Sequence, residues 1–340
     1  MIIRFVLFSL AFVYYASISA QQYTPEQLGW KQFSINHQET GAINYYVTLN
    51  TIRQEKPILL YLDGSGSYPL YQYTERGIGS SVPLDYQKLS EDFHIIIISK
   101  PGVPFIDTVA TDSLTGYPLY ETPAEYIRRL SLDWRVTAAE MVLKDAIKNL
   151  PEDKSKIAVL GISEGFQVGA KLIAGNKKIT HAVLMVGNGL SQFYDFIIQN
   201  RLDAQTGALD AAQAQENIDS LNATFRDIYA NSKSTERNWY GHTYLRWSSF
   251  SQSNPTDNIL STNIPVYIVA CANDRNTSVL GTDYLYLESI RRGKTNITYN
   301  VYPYDHMFNE VIRDDQGQVI SVNHRMKEVM DSALLWIKEK

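Results

Sequence analysis

Cysteine is almost absent from this chain: of 340 residues only Cys271 is one. No internal disulfide can form, so stability has to come from a buried core. The same scarcity leaves no thiolate set for structural zinc or an iron–sulfur cluster, and the six histidines show no metal-ligand spacing. Positive charge is not concentrated either. The formal net charge is −5 and no long Lys/Arg run occurs, which argues against nucleic acid as the main partner. Neither G-x-G-x-x-G nor a P-loop lysine is present, so no phosphate cradle is expected. The expectation is therefore an absence of metal and organic cofactor. Internal repeats and low-complexity linkers are missing as well.

Long apolar runs are also scarce. The run Phe5 to Tyr15 is short for a membrane span and is diluted by Ser9, Tyr14 and Tyr15. With Arg4 before it and Ser17 to Ala20 after it, residues 1–20 are expected to be a signal peptide cleaved before Gln21. This predicts an exported protein, periplasmic or secreted, with no membrane span after cleavage. Ile18 at the −3 position fits poorly and leaves an uncleaved anchor open. Residues 21–340 suit one domain with an insertion. A hydrophobic content of 44% beside 20% charged residues fits a folded globular chain. Asn222, Asn276 and Asn296 stand in glycosylation sequons, which an Asn-rich chain produces by chance.

What the chain does contain is Gly161-Ile162-Ser163-Glu164-Gly165, a G-x-S-x-G pattern set between a strand and a helix. Lys156 to Leu160 reads as a short buried strand. Phe166 to Ala174 reads as a helix ending at Gly175, a C′ glycine. A strand running straight into a helix needs small residues two positions either side of the serine. A tight glycine turn around a buried serine would show the same pattern. Elsewhere Ala42 to Leu49 alternates as a half-exposed strand, while Ile58 to Leu62 and His94 to Ile98 are continuous apolar runs, as in strands covered on both faces. A crossover helix is expected over Leu84 to Glu91. A longer helix is expected from the capping box Thr122-Pro123-Ala124-Glu125, with a break near Ser131, to Leu150. Further strands are expected at His181 to Val186, Pro265 to Ala270 and Ile297 to Tyr302, with helices at Thr282 to Arg292 (capped by Gly293) and Asn323 to Ile337. This alternation predicts an α/β fold with a mostly parallel, doubly wound sheet and an antiparallel hairpin at its N-terminal edge. Residues 190–258 break the rhythm and read as a helical insertion without a convincing strand, ending in the aromatic cluster Trp239, Tyr240, Tyr244 and Trp247.

A serine hydroxyl needs a base, and the base needs an orienting group. Asp274 follows strand Pro265 to Ala270, and His306 follows strand Ile297 to Tyr302. Parallel strands would bring all three to one sheet edge. Asp274 could instead be an Asx turn, His306 a solvated loop residue, and Asp305 is an alternative acid. His242 could touch substrate; His37, His94, His181 and His324 fit the base less well. Backbone donors for a developing oxyanion are expected from Glu164 and from the loop Asp63-Gly64-Ser65-Gly66-Ser67, with Ser65 ahead of Gly66. Gly64, Gly66, Trp239 and Tyr240 are the expected substrate contacts. Aromatic clusters such as the last are more often helix-packing core.

The Gly-rich loop at 63–67, the elbow at 161–165, the acid loop at Asp274 and the histidine loop at His306, in that order, resemble the α/β-hydrolase superfamily over essentially all of residues 21–340. The resemblance implies Ser163 as nucleophile, His306 as base, Asp274 as orienting acid, Glu164 and Ser65 as oxyanion donors, and the insertion as a cap over the site. Two departures are Asp63-Gly64 where many members have His-Gly, and Lys100-Pro101-Gly102 in place of an acidic-Arg-Gly pattern. The expected function is an exported serine hydrolase cleaving a carboxylic ester or related acyl bond of a small molecule or peptide. A peptidase or acyltransferase would use the same residues. An aminopeptidase would add carboxylates for a substrate ammonium, for which Glu164 and Asp63 are candidates, although both could also be solvated or salt-bridged. A binding protein on the same fold, without turnover, is the reading from another class.

Overall fold

The computed structural model describes residues 23–340 apart from 76 and 115–117, and only the backbone of 152 and 154. The expected signal peptide, residues 1–20, lies outside the described residues. Eight strands form the central sheet: β1 (Trp30–His37), β2 (Gly41–Thr48), β3 (Lys56–Leu62), β4 (His94–Ile98), β5 (Glu152–Ile162), β6 (His181–Met185), β7 (Val266–Cys271) and β8 (Ile297–Tyr302). Their spatial order is β1-β2-β4-β3-β5-β6-β7-β8. β1 pairs antiparallel with β2, and β2 antiparallel with β4; every pairing from β4 to β8 is parallel.

The side-chain alternation of β5 shows why the sheet carries helices on both faces. Ala158 and Leu160 join one buried cluster with Val329, Ala333 and Ile337 of α10 (Met326–Glu339). Ile157 and Val159 join the opposite cluster with Ala138 and Val142 of α3 (Leu132–Asn149) and Val168 and Leu172 of α4 (Glu164–Gly175). Continuous apolar strands pack a layer on each side because successive residues face opposite ways.

Between β6 and β7 the chain forms α5 (Gln192–Gln205), α6 (Ala211–Ala230), α7 (Tyr244–Gln252) and α8 (Pro255–Ser261). Phe193, Phe225, Ile228, Tyr244 and Trp247 give this segment a separate core. It also contains a two-stranded ribbon, Asn238–Trp239 against His242–Thr243, too short for strand periodicity to register.

Several local expectations are corrected. The crossover helix shrinks to α1 (Tyr86–Leu89), capped by the Asp85 carboxylate. The capping box does not form: Pro123 is the cap of α2 (Ala124–Arg129), and the Thr122 hydroxyl lies 3.0 Å from Ser67 Oγ. The chain does break at Leu130, and Ser131 caps α3 through the Trp134 N–H. Gly175 is the last residue of α4 rather than a left-handed cap; Gly293, at φ +64°, does end α9 (Val279–Arg291) in that way. The last helix starts at Met326, because Val311, Ile312, Val319, Ile320 and Val322 favour a hairpin before it, Asn309–Arg313 with Val319–His324, around Gly317.

Close packing of the elbow rests on two glycines. A Cβ at Gly161 would lie 2.2 Å from the Gly165 carbonyl oxygen, and one at Gly165 would lie 2.0 Å from that of Leu62. Gly165→Ala therefore has to push α4 off β3. The expected cost is about 3 kcal/mol, seen as a melting temperature lower by roughly 6–12 °C; an unchanged melt would contradict this packing.

Candidate active site

Strand β5 ends at Ile162 and α4 begins at Glu164, so Ser163 alone makes the turn. It holds φ 55° and ψ −116°, a conformation L-residues rarely adopt. The turn is pinned on both sides: the Ser163 N–H donates to the Met185 carbonyl and the Phe166 N–H to the Ser163 carbonyl, each at 2.9 Å. Over-determination of this kind is what lets a strained residue persist.

The loops after β7 and β8 reach the same sheet edge. His306 Nε2 lies 3.1 Å from Ser163 Oγ, and His306 Nδ1 lies 2.7 Å from Asp274 Oδ2. A carboxylate only accepts, so Nδ1 carries the proton and Nε2 presents its lone pair to the serine. Asp274 combines the two roles its sequence left open. Its Oδ1 closes an Asx turn, accepting from the N–H groups of Asn276 (2.8 Å) and Thr277 (2.9 Å), while Oδ2 serves the histidine. Asp305 is occupied elsewhere: its carboxylate accepts from the backbone N–H of Met307 and Asn309 and from Asn309 Nδ2, which folds the histidine loop. His242 sits on the wall of the cleft in front of Ser163, with burial pushing its pKa down to about 4, so its ring is neutral.

The nearby carboxylates belong to a buried ion network. Glu164 Oε1 receives Arg135 Nη1 at 2.8 Å, and Oε2 receives Arg246 Nη2 at 2.7 Å. Arg135 also reaches Asp63 Oδ1 at 2.6 Å. Lys100 spends its ammonium on Asp63 Oδ2 (2.7 Å) and on the carbonyls of Gly64 (2.6 Å) and Gly66 (2.8 Å). Burial disfavours the Glu164 carboxylate, but Arg246 and Arg135 outweigh it and hold the pKa at about 2. Of the readings left open for Glu164 and Asp63, the salt-bridged one holds: arginines and a lysine of the chain occupy both, in place of a substrate ammonium.

Neither Lys100, Arg135 nor Arg246 was singled out as a site residue from the sequence. The one signal was the Lys100-Pro101-Gly102 departure. Drawing two loop carbonyls inward onto Lys100 turns the peptide units of the Gly-rich loop so that N–H groups can face the opposite side. Ser65 lines the cleft beside Ser163. A Cβ at Gly64 would lie 3.4 Å from Ser163 Cβ, and Gly66 sits at φ +100°. Gly64 lets the loop approach the serine and Gly66 turns it beside Tyr68, and neither is among the residues that line the cleft. The Glu164 N–H, first in α4, has no helical partner.

The cleft encloses about 500 Å3 and its walls are rich in amides, including Gln167, Gln192 and Asn276. Tyr240 lines it and is 72% exposed. Trp239 follows the core-packing reading of its cluster rather than the substrate-contact one: its ring packs 4.9 Å from Trp247 and 4.8 Å from Phe196, against the helical segment's own core. Trp247 lines the cleft in its place. No metal-binding group of three or more His, Cys, Asp or Glu occurs among the described residues, and no described helix is long and apolar enough to cross a membrane.

No protein-family model matches this sequence, and no curated protein matches it. Among solved structures, acylaminoacyl peptidase from Pyrococcus horikoshii superposes with a TM-score of 0.51 at 11% identity, over 82% of this chain and 37% of that one. A Mycobacterium tuberculosis puromycin-hydrolyzing peptidase gives 0.50 at 13% identity, over 82% and 36%. DcsB, solved with a substrate analogue, gives 0.53 at 13% identity, over 91% of this chain and 99% of that one. This chain thus spans little more than a third of either peptidase. At such identities the likeness is one of fold, and with the strand order above it establishes an α/β-hydrolase fold.

Two measurements test the ion network. Glu164→Gln leaves two buried arginines short of a charge and is expected to cost about 3–5 kcal/mol. Because the folded-state pKa of Glu164 lies below the ordinary 4.5, its stabilisation is complete above pH 4.5 and is lost as pH falls towards 2. Thermal melts across that window should fall more steeply for the parent than for Glu164→Gln; parallel curves would contradict the assignment.

Proposed function

We propose that this protein is a serine hydrolase that cleaves a carboxylic ester or related acyl bond through a covalent acyl-enzyme. The observation that carries the reading is His306 bonded on one side to Asp274 and on the other to Ser163. Ser163 Oγ attacks the acyl carbon while its proton passes to His306 Nε2. The oxyanion accepts from the Glu164 N–H and from the Ser65 N–H of the loop clasped by Lys100. Collapse expels the leaving group, which takes the proton from His306. Water then attacks the acyl-enzyme with His306 as base, releasing the acid and restoring Ser163. Asp274 holds the ring and stabilises the imidazolium without itself being protonated.

The segment from α5 to α8 is read as a cap that supplies the outer wall of the cleft. Export through residues 1–20 is part of the same proposal; mass analysis of protein recovered outside the cell should give a chain beginning at Gln21.

Exposure to a fluorophosphonate should give one adduct, on Ser163, that Ser163→Ala does not form. No adduct on the folded protein would favour a binding protein instead. Asp274→Asn is expected to lower kcat by roughly 10²–10⁴-fold on a p-nitrophenyl ester, since it loses the tautomer the serine needs. Lys100→Met should lower kcat by roughly 10²-fold with KM little changed, because the loop donor matters most when charge develops on the oxyanion. A loss confined to KM would remove the loop from this role.

A further inference from the structure

Among the described residues, the cleft wall carries one acid, Asp195, that forms no salt bridge. Asp195 stands in the first turn of α5, on the cleft wall with Ser163 and His306. Its Oδ1 accepts from the backbone N–H of Ser278 at 2.9 Å and from Asn188 Nδ2, tying α5 to the start of α9 and to the loop after β6. That structural duty occupies one oxygen, and among the described residues no hydrogen bond falls on Oδ2. Every other charge on the cleft wall is answered or engaged. Glu164 lies between Arg135 and Arg246, Arg275 pairs with Asp203 at 2.7 Å, His306 faces Asp274, and the buried ring of His242 is neutral. Burial pushes the Asp195 carboxyl up to about 7; its two hydrogen bonds and the nearby His306 ring oppose the rise, and Asp274 adds to it. A carboxylate withdrawn from water in this way gains most from a cation with N–H donors.

We infer that Asp195 is the seat of a substrate ammonium group, so that the acyl bond opened at Ser163 belongs to an amine-bearing substrate. This rests on the hydrolase reading above and narrows it. The neighbouring amides of Gln167 and Gln192 can hydrogen-bond a neutral group, but they cannot neutralise a charge. Asp195 therefore separates a cationic substrate from an isosteric neutral one.

The test uses hexylammonium and 1-hexanol, which differ chiefly in charge. Binding to the full-length Ser163→Ala protein is measured by calorimetry, which requires no turnover. Competition against p-nitrophenyl butanoate hydrolysis is measured on the parent. Hexylammonium is expected to bind and to compete at least about tenfold more tightly than 1-hexanol. Asp195→Asn, which keeps the shape and the Oδ1 acceptor, should erase that difference and leave 1-hexanol within about twofold. Equal binding of the two compounds to the parent, or a preference for ammonium that survives Asp195→Asn, would overturn the assignment. Equal binding by the parent overturns the assignment even if Asp195→Asn does not fold, and Asp195→Ser then serves as the second variant for the loss of preference. Failure of the hydrolase reading looks different: no ester turnover and no fluorophosphonate adduct, whatever the calorimetry gives.

Discussion

The placement of Glu164 between two buried arginines is the interaction on which the rest of the site depends. Glu164 follows Ser163 directly and cannot move without moving it. Its two oxygens connect α3 through Arg135 and α7 through Arg246 to the start of α4. Arg135 passes the connection to Asp63, and Asp63 to Lys100. Elbow, Gly-rich loop, core helix and outer helical segment are thus tied into one electrostatic unit. Breaking such a unit at one point strands buried charge, so its members have to persist together.

The network also has a sign. Lys100, Arg135 and Arg246 face Asp63 and Glu164, three cations against two carboxylates, behind the loop and helix terminus that flank Ser163. A surplus positive charge in a low-dielectric region favours negative charge developing in front of it. Lys100 adds geometry to that field, because its three contacts fix two carbonyls of the Gly-rich loop. The order of the site is therefore held by charge at the base and by the strained turn of Ser163 at the tip.

The outer helical segment meets the site in two ways. Arg246 carries it onto Glu164, and the Arg246 guanidinium stacks 4.4 Å from Trp247 and 4.6 Å from Phe250. Arg246 Nη1 donates to Gln192 Oε1, and Gln192 Nε2 donates to Gln167 Oε1. Since arginine can only donate, the direction of this relay is fixed from one end to the other. The amide wall of the cleft is therefore oriented by the same charges that hold the turn at Ser163.

By itself the sequence determined the parallel core strands, the elbow at Gly161 to Gly165, and the residues that meet there. Each is signalled within a few positions: an apolar run, glycines flanking a serine, an acid or a histidine just past a strand end. Asp274 could be read either way because an Asx turn and a histidine partner use different oxygens of one carboxylate. Tertiary structure alone decided that Arg135 and Arg246 are buried partners of Glu164, from 29 and 82 residues away, and that Asp195 forms no salt bridge among the described residues. It also decided that Trp239 packs inward while Trp247 lines the cleft. A charged residue on an amphipathic helix looks the same locally whether it faces water or a buried counter-ion. What distinguishes the two is which other element the fold brings opposite, and that is set by how the helices cross the sheet edge.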